Sequence, residues 1–295
     1  MKKVLFTGCG TAIATPFDKN GVNTTEFKKL IEFQIQEGAD SIIVCGTTGE
    51  ASTMTEKEKI AAIKTAVETS NGRIPIIAGS GGNNTTQAIK MSKLAQSLGV
   101  DGLLIVTPYY NKTTQAGLVE HYKTIANEVD LPIIVYNVPG RTGLNITPQT
   151  CLELSKINNI VAIKEASGNL SQVAEIANLC GDNLTIYSGN DDQILPVLSL
   201  GGKGVISVLS NIEPKATHNM VQYFLDGKTK EATELQIKAI PLIKALFSEV
   251  NPIPVKEALN IVGYNYGIPR LPLVKMTDSG KAMLEKEISN FRNNL

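Results

Sequence analysis

The chain has 295 residues, 42% of them hydrophobic and 19% charged, and its 28 basic side chains balance its 28 acidic ones. A chain of this length can bury a large core, in one domain or in two. The charge balance argues against a nucleic-acid-binding protein, which usually carries a basic excess, and no apolar run approaches the roughly 20 residues that span a bilayer.

Short apolar runs recur along the chain at intervals of a few tens of residues. Most are rich in isoleucine, valine and leucine without polar alternation, which is typical of strands buried on both faces of a parallel sheet. The predicted strands are Thr11–Ala14, Ser41–Cys45, Ile74–Ala78, Gly102–Val106, Pro132–Tyr136, Ile160–Ile163, Leu184–Tyr187 and Gly204–Val208.

Segments of helical character lie between these runs, and several carry start signals. Thr55 with Glu58 has the spacing of a capping box, and Asn23 is a second predicted N-cap. Pro148 and Pro214 suit the first position of a helix. The chain therefore alternates predicted strands and helices.

Eight βα units within about 225 residues predict a (β/α)8 TIM barrel of the α/β class. A doubly wound sheet is the alternative, but it favours a glycine-rich nucleotide turn after the first strand. Gly8-Cys9-Gly10 precedes the first predicted strand and Gly79-Ser80-Gly81-Gly82 lacks the required spacing, so both are predicted to be turns. The strand signal then stops, which predicts a catalytic barrel domain over residues 1–226 and a C-terminal helical extension over residues 227–295.

Cysteines and histidines give no sign of a metal site. The two histidines, His121 and His218, fall in predicted helices away from strand ends, and no cysteine pair has zinc-ligand spacing. The N-terminus has no apolar signal-peptide core, and free buried thiols suit a reducing compartment, so we expect a cytoplasmic protein. The four cysteines are Cys9, Cys45, Cys151 and Cys180.

Polar groups collect where a TIM barrel places its active site, at the carboxyl ends of the strands. Lys164 ends the sixth predicted strand, where desolvation would lower its pKa and make it a nucleophile. Tyr136 is one βα unit earlier and should lie beside it at similar height. Thr47 and Thr48 offer hydroxyls and backbone N–H groups that suit a small carboxylate.

Each of these residues also has an ordinary interpretation. A lysine at a strand end can reach water along its flexible stem, a threonine pair can be only a polar turn, and Arg141 can be a surface charge. Tyr109 and Tyr110 can be core or interface aromatics. Their coincidence at one end of one barrel favours a site for imine chemistry on a substrate that bears a carboxylate.

The chain resembles the pyruvate-dependent class I aldolases of the dihydrodipicolinate synthase and N-acetylneuraminate lyase superfamily over nearly its whole length. The Pro-Gly-Arg-Thr stretch favours the synthase branch, because the sialic-acid lyases lack that arginine. The motifs that carry the resemblance are Gly46-Thr47-Thr48-Gly49-Glu50, Tyr136-Asn137-Val138-Pro139-Gly140-Arg141-Thr142 and Ile163-Lys164-Glu165-Ala166-Ser167-Gly168.

The resemblance implies a role for each matching residue in pyruvate chemistry. Lys164 would form a Schiff base with pyruvate, and Thr48 would hold the pyruvate carboxylate. Thr47, Tyr136 and Tyr110 would form a hydroxyl relay for protons, with Tyr110 reaching into the neighbouring subunit.

The remaining implications concern the second substrate and the assembly. Arg141 would bind the carboxylate of aspartate semialdehyde, and Gly189 and Ile206 would line the pocket through their backbone. The resemblance implies a homotetramer of two tight dimers without metal or organic cofactor, acting in lysine and diaminopimelate biosynthesis.

Relatives that lysine inhibits bind it at the tight-dimer interface, beside the second-strand loop. This chain keeps Asn83 and Tyr109 there, and its residues at the changed positions are Ala51, Glu56, Lys59 and Gln87. A glutamine in place of a carboxylate removes a partner for the effector's ammonium, so we expect weak or absent lysine inhibition.

Two other functions stay open on the sequence alone. A sister aldolase would join pyruvate to a sugar acid or another aldehyde, since Arg141 indicates a carboxylate without naming the acceptor. A non-catalytic barrel that senses small carboxylates is less well supported, because Lys164 and its hydroxyl neighbours are all present.

Overall fold

A closed barrel of parallel strands forms the centre of the computed structural model, which describes residues 2–294. Neighbouring strands in the barrel are consecutive in the chain, and β1 closes the barrel against β8. Within that part of the chain the barrel strands are β1 (Gly8–Ala12), β2 (Ser41–Val44), β3 (Ile76–Gly79), β4 (Gly102–Val106), β5 (Ile133–Asn137), β6 (Ile160–Glu165), β7 (Thr185–Ser188) and β8 (Gly204–Ser207). The predicted (β/α)8 TIM barrel is confirmed.

Helices follow the strands and cover the outside of the barrel. The α-helices of residues 2–294 are α1 (Thr24–Gln36), α2 (Glu56–Ser70), α3 (Thr85–Ser97), α4 (Gln115–Ala126), α5 (Pro139–Thr142), α6 (Pro148–Ser155), α7 (Leu170–Cys180), α8 (Ile194–Ser199), α9 (Pro214–Leu225), α10 (Thr229–Leu246), α11 (Ile253–Ile261) and α12 (Asp278–Asn293). The predicted start signals are confirmed. Asn23 caps α1, Thr55 and Glu58 form a capping box on α2, and prolines open α6 and α9.

The apolar core has two parts. One lies between the strands and the surrounding helices, and the other fills the barrel itself. The chain before β1 closes the bottom of the barrel, where the Phe6 ring stacks on the Tyr187 ring with centroids 4.3 Å apart. The Tyr187 hydroxyl donates to the Phe6 carbonyl over 2.6 Å. The interior is therefore a packed core and leaves room for a ligand only near the opposite end.

One turn prediction was wrong, and the other was wrong at its first residue, since Gly79 belongs to β3. Gly8-Cys9-Gly10, predicted to be a turn, belongs to β1, which begins three residues before the predicted Thr11–Ala14. Packing explains the glycines, because a Cβ on Gly10 would lie 2.7 Å from the Phe6 ring and 2.8 Å from Ile43 Cδ1. Glycine is a poor strand residue in general, but here it makes room for the aromatic side chain that closes the barrel.

The chain after α9 is helical and returns to the barrel. Helix α11 is almost entirely buried, and the Lys256 side chain on it is 0% exposed. Lys256 Nζ lies 2.7 Å from Glu50 Oε1, in the loop after β2. The C-terminal helices thereby contact the end of the barrel where the predicted site residues lie.

Candidate active site

Lys164 lies where the sequence predicted it, at the carboxyl end of β6. It pairs in register with Tyr136 on β5, so the two side chains stand side by side at the same height. Lys164 is 6% exposed, and its Nζ is 4.5 Å from the centroid of the Tyr136 ring. Desolvation lowers the pKa of Lys164 to about 8, helped by the Arg141 charge and opposed by Asp191. About a tenth of the amine is therefore neutral near pH 7, far more than for a lysine with its ordinary pKa.

Gly189 makes room for this lysine. A Cβ at position 189 would lie 3.1 Å from Lys164 Cε and 2.6 Å from Ala166 Cβ. Real Cβ atoms hardly ever approach so closely, so a side chain here would displace the lysine or its neighbour. The presence of glycine at position 189 therefore has a steric reason and is not explained by a turn alone.

A cavity of about 60 Å³ lies in front of Lys164, a volume that holds several waters or a molecule of a few heavy atoms. It combines one amine, one guanidinium, hydroxyls and apolar walls. The residues that line it are Ala12, Ile43, Gly46, Thr47, Thr48, Leu104, Tyr136, Val138, Arg141, Lys164, Ala166, Gly189, Asn190, Val208, Phe247 and Asn251.

A wider cavity of about 760 Å³ lies beside the small one and shares Thr47, Tyr136 and Arg141 with it. Tyr109 and Tyr110 line this wider cavity. Arg141 on the short helix α5 is exposed, so its guanidinium can meet a ligand from the solvent side. The small cavity suits the group that reacts with Lys164, and the wider one suits a second, larger molecule.

The turn after β2 brings two hydroxyls to the small cavity. Thr48 is 3% exposed, and its Oγ1 accepts a hydrogen bond from Asn251 Nδ2 over 3.0 Å. Burial raises the pKa of the Tyr136 phenol, against the smaller effects of Arg141 and the Thr47 hydroxyl. Tyr136 is therefore protonated at neutral pH and can donate a proton or a hydrogen bond.

Two predicted site residues lie apart from the small cavity. The Tyr110 side chain is 93% exposed on a residue with φ of 67°, and it lines only the wider cavity. Ile206 lies on β8 within the apolar barrel core. Among the described residues that line the small cavity is Val208, which directly follows β8, and not Ile206.

Sequence reasoning missed three residues that the structure brings to the site. Asp191, 2% exposed, accepts hydrogen bonds from the backbone N–H groups of Val208 and Leu209 and raises the pKa of Lys164 through its charge. Phe247 and Asn251 come from the C-terminal extension. Asp191 could have been found, because it is a polar residue near the carboxyl end of a barrel strand. Phe247 and Asn251 have no such signal, because their positions depend on the path of the last helices.

The described histidines and cysteines do not line the small cavity, and Cys45 lines the wider one. His121 is on α4 and contacts Thr85, and His218 is on α9 with its Nδ1 2.8 Å from Asp40 Oδ2. All four cysteines are free and buried. Over residues 2–294 no helix is long and apolar enough to cross a bilayer.

The chain is similar to known proteins over nearly its whole length. Residues 5–291 match the model of the dihydrodipicolinate synthetase family. A 4-hydroxy-tetrahydrodipicolinate synthase of Clostridium tetani is 58% identical over 97% of this chain and 98% of its own.

Solved structures agree with this similarity. Dihydrodipicolinate synthase from Cyanidioschyzon merolae, crystallised with lysine bound, is 40% identical with a TM-score of 0.95, covering 98% of this chain and 99% of its own. The chloride-inhibited synthase from Acinetobacter baumannii, crystallised with pyruvate, is 41% identical with a TM-score of 0.95, covering 97% and 99%. This chain is an enzyme that belongs to the dihydrodipicolinate synthetase family.

Proposed function

We propose that this enzyme condenses pyruvate with L-aspartate 4-semialdehyde to 4-hydroxy-tetrahydrodipicolinate through a Schiff base on Lys164. The observation that carries the proposal is a buried lysine with a pKa lowered to about 8 that faces a small cavity beside a tyrosine hydroxyl. The relatives' name, and the pyruvate in the Acinetobacter baumannii structure, support these substrates.

Pyruvate binds first in the small cavity. Its carboxylate lies against the turn of Thr47 and Thr48, and its ketone carbon faces Lys164 Nζ. The neutral amine attacks that carbon, and the oxygen of the carbinolamine leaves as water after it accepts a proton. Tyr136, whose ring lies beside Lys164 Nζ, donates that proton, and Thr47 and Tyr110 complete the relay that returns a proton to it.

The second half of the reaction uses the wider cavity. The imine loses a proton from the pyruvate methyl group and becomes an enamine, whose carbon attacks the aldehyde of the second substrate. Arg141 binds the carboxylate of that substrate with its planar guanidinium. The substrate's amino group then attacks the imine carbon, which closes the ring and breaks the bond to Lys164, so the free amine is restored.

The exposed Tyr110 supports a second subunit at the site. A tyrosine that is 93% exposed on a residue with left-handed backbone contributes little to the fold of its own chain. We propose that it completes the relay in a neighbouring subunit, within a homotetramer of two tight dimers. The proposal includes action in lysine and diaminopimelate biosynthesis, in the cytoplasm and without metal or organic cofactor.

The test is pyruvate consumption by the purified enzyme, offered aspartate semialdehyde and, separately, N-acetylmannosamine. Turnover with the semialdehyde alone is the expected result. Turnover with the sugar alone would keep the Schiff base and overturn the role of Arg141. If neither aldehyde reacts, borohydride reduction with pyruvate decides between another pyruvate aldolase, which modifies Lys164, and a carboxylate sensor, which does not.

We also propose that lysine inhibits this enzyme weakly or not at all. Glu56 is held in an ion pair with Lys90, its Oε2 2.7 Å from Lys90 Nζ, and Gln87 is neutral. Neither supplies a free carboxylate for the ammonium of an effector, and the Lys59 cation lines the wider cavity with Ala51 and Tyr109. Activity measured against rising lysine concentration checks this, and half-inhibition by sub-millimolar lysine would contradict it.

A further inference from the structure

The C-terminal extension supplies part of the small cavity. Phe247 directly follows α10 and Asn251 lies just before α11, and both residues line the cavity in front of Lys164. Asn251 is 6% exposed, and its Nδ2 donates to Thr48 Oγ1 over 3.0 Å. Its Oδ1 is buried without a hydrogen-bond partner among the described residues. Asn251 therefore serves the lining of the cavity rather than the packing of the extension.

Both ends of this contact are held in place by the same buried ion pair. Glu50 lies two residues after Thr48, and its Oε1 is 2.7 Å from Lys256 Nζ on α11. Its Oε2 accepts from the backbone N–H of Arg270 over 2.8 Å. The turn and the extension therefore keep a fixed distance, and Asn251 cannot easily leave Thr48.

The direction of the hydrogen bond decides what Thr48 can do. A hydroxyl has one proton to donate and two acceptor positions, whereas the NH₂ of an asparagine only donates. Asn251 therefore occupies an acceptor position on Thr48 Oγ1 and leaves the hydroxyl proton available. No hydrogen bond within residues 2–294 uses that proton on a protein acceptor. A ligand in the cavity can accept it.

We infer that Asn251 is a positioning residue, which directs the Thr48 hydroxyl proton toward the carboxylate of the bound substrate. The inference rests on the proposed function in taking pyruvate as that substrate. It gives the C-terminal extension a part in substrate binding that the strand ends of the barrel do not supply. Asn251 takes no part in forming the imine on Lys164. Its removal should therefore weaken the binding of pyruvate more than it slows imine formation.

The test is borohydride trapping of pyruvate on Lys164, measured by mass spectrometry over a range of pyruvate concentrations. Asn251→Ala should raise the half-saturating pyruvate concentration about tenfold, the effect of one lost hydrogen bond to a charged group. Trapping at saturating pyruvate should stay complete, since only binding common to ground state and transition state is lost. Asn251→Asp should do more harm, because a carboxylate accepts the Thr48 proton and repels the substrate's carboxylate.

Asn260 offers a matched control on the same extension. Its Nδ2 donates to the Gly267 carbonyl over 2.9 Å and its Oδ1 accepts from the Tyr266 N–H over 2.8 Å, away from the cavity. Asn260→Ala should lower the melting temperature without changing the half-saturating concentration. A merely structural Asn251 would behave in the same way as this control.

A double-mutant cycle isolates the action through Thr48. Thr48→Val removes the hydroxyl, so Asn251→Ala should have little further effect on half-saturation in that background. Full additivity, or an unchanged half-saturation in the single Asn251→Ala variant, would overturn the inference and leave the Schiff base intact. Wild-type protein that pyruvate and borohydride do not modify would instead overturn the proposed function.

Discussion

Two buried lysines in this enzyme, Lys164 at the end of β6 and Lys256 on α11, differ in what stands next to the amine. The first is 6% exposed and the second 0%, and desolvation lowers the pKa of both. Lys256 Nζ is paired with Glu50 at 2.7 Å. Lys164 Nζ faces the Tyr136 ring and a cavity, and the nearest acidic influence is the charge of Asp191.

The difference shows that burial alone does not make a lysine reactive. A carboxylate at hydrogen-bond distance stabilises the ammonium form and occupies the amine, so Lys256 serves structure. A buried amine that faces a cavity and has no such carboxylate beside it is available to an electrophile. The presence of a counterion beside the amine thus separates the structural lysine from the reactive one.

Removing each lysine should have a different consequence, and Lys164→Ala should have the largest. We expect turnover to fall at least about 10⁴-fold, because no other group can form the imine. Pyruvate and borohydride should no longer modify the protein, whereas Lys256→Met, where folded, should still be modified. Modification of Lys164→Ala at another residue would contradict the assignment of the nucleophile.

Lys256→Met should act on stability. Loss of one partner leaves Glu50 buried and unpaired, which lowers the free energy of unfolding by about 3–5 kcal/mol. Urea unfolding monitored by circular dichroism measures this loss. The double variant Lys256→Met with Glu50→Gln should recover part of it, since the uncompensated charge is gone. A Lys256→Met protein as stable as the wild type would show that the pair is not structural.

Gly189→Ala should disturb Lys164 without removing it. The added methyl group would lie 2.6 Å from Ala166 Cβ and 3.1 Å from Lys164 Cε, so the strand ends around the lysine must shift and its amine moves with them. We expect a turnover number about tenfold to a hundredfold lower, the range for a displaced reacting group. Gly82→Ala provides a control, since its Cβ would meet nothing within 4 Å. Equal turnover in both variants would mean that Gly189 does not fix the lysine.

The smallest expected effect is on pH dependence. The Lys164 amine is mostly ammonium below its pKa of about 8, so the rate of imine formation should rise with pH and level off above that value. Asp191 raises the pKa of Lys164, so Asp191→Asn should move the midpoint to lower pH. Rapid-quench trapping over a pH series measures it, and an unmoved midpoint would exclude Asp191 from setting the amine's charge.

The barrel and the pairing of Tyr136 with Lys164 were predictable from the sequence for a simple reason. Consecutive parallel strands lie side by side, and a spacing of one βα unit places equivalent residues at the same height. The structure pairs these two residues directly. The location of a polar residue at a strand end can therefore be predicted from its position in the sequence.

The rest depended on packing that local sequence does not encode. The glycines of β1 resemble a turn until the Phe6 ring that they accommodate is known. Asn251 lies between α10 and α11, and nothing in the local sequence indicates that the chain returns to Thr48 at this point. Ile206 and Val208 both lie in the predicted strand Gly204–Val208. The structure ends β8 at Ser207, and Val208 rather than Ile206 lines the small cavity.

The Glu50–Lys256 pair has a consequence for how the enzyme is made. Its two residues are 206 positions apart, and Asn251 is 203 positions from Thr48. During synthesis the barrel strands emerge first and can pair as they leave the ribosome, since domains generally fold from the N-terminus. The turn that carries Thr48 receives its partners only after Asn251 and Lys256 have been synthesised. Lys164 is thus synthesised before the residues of the C-terminal extension that complete the small cavity.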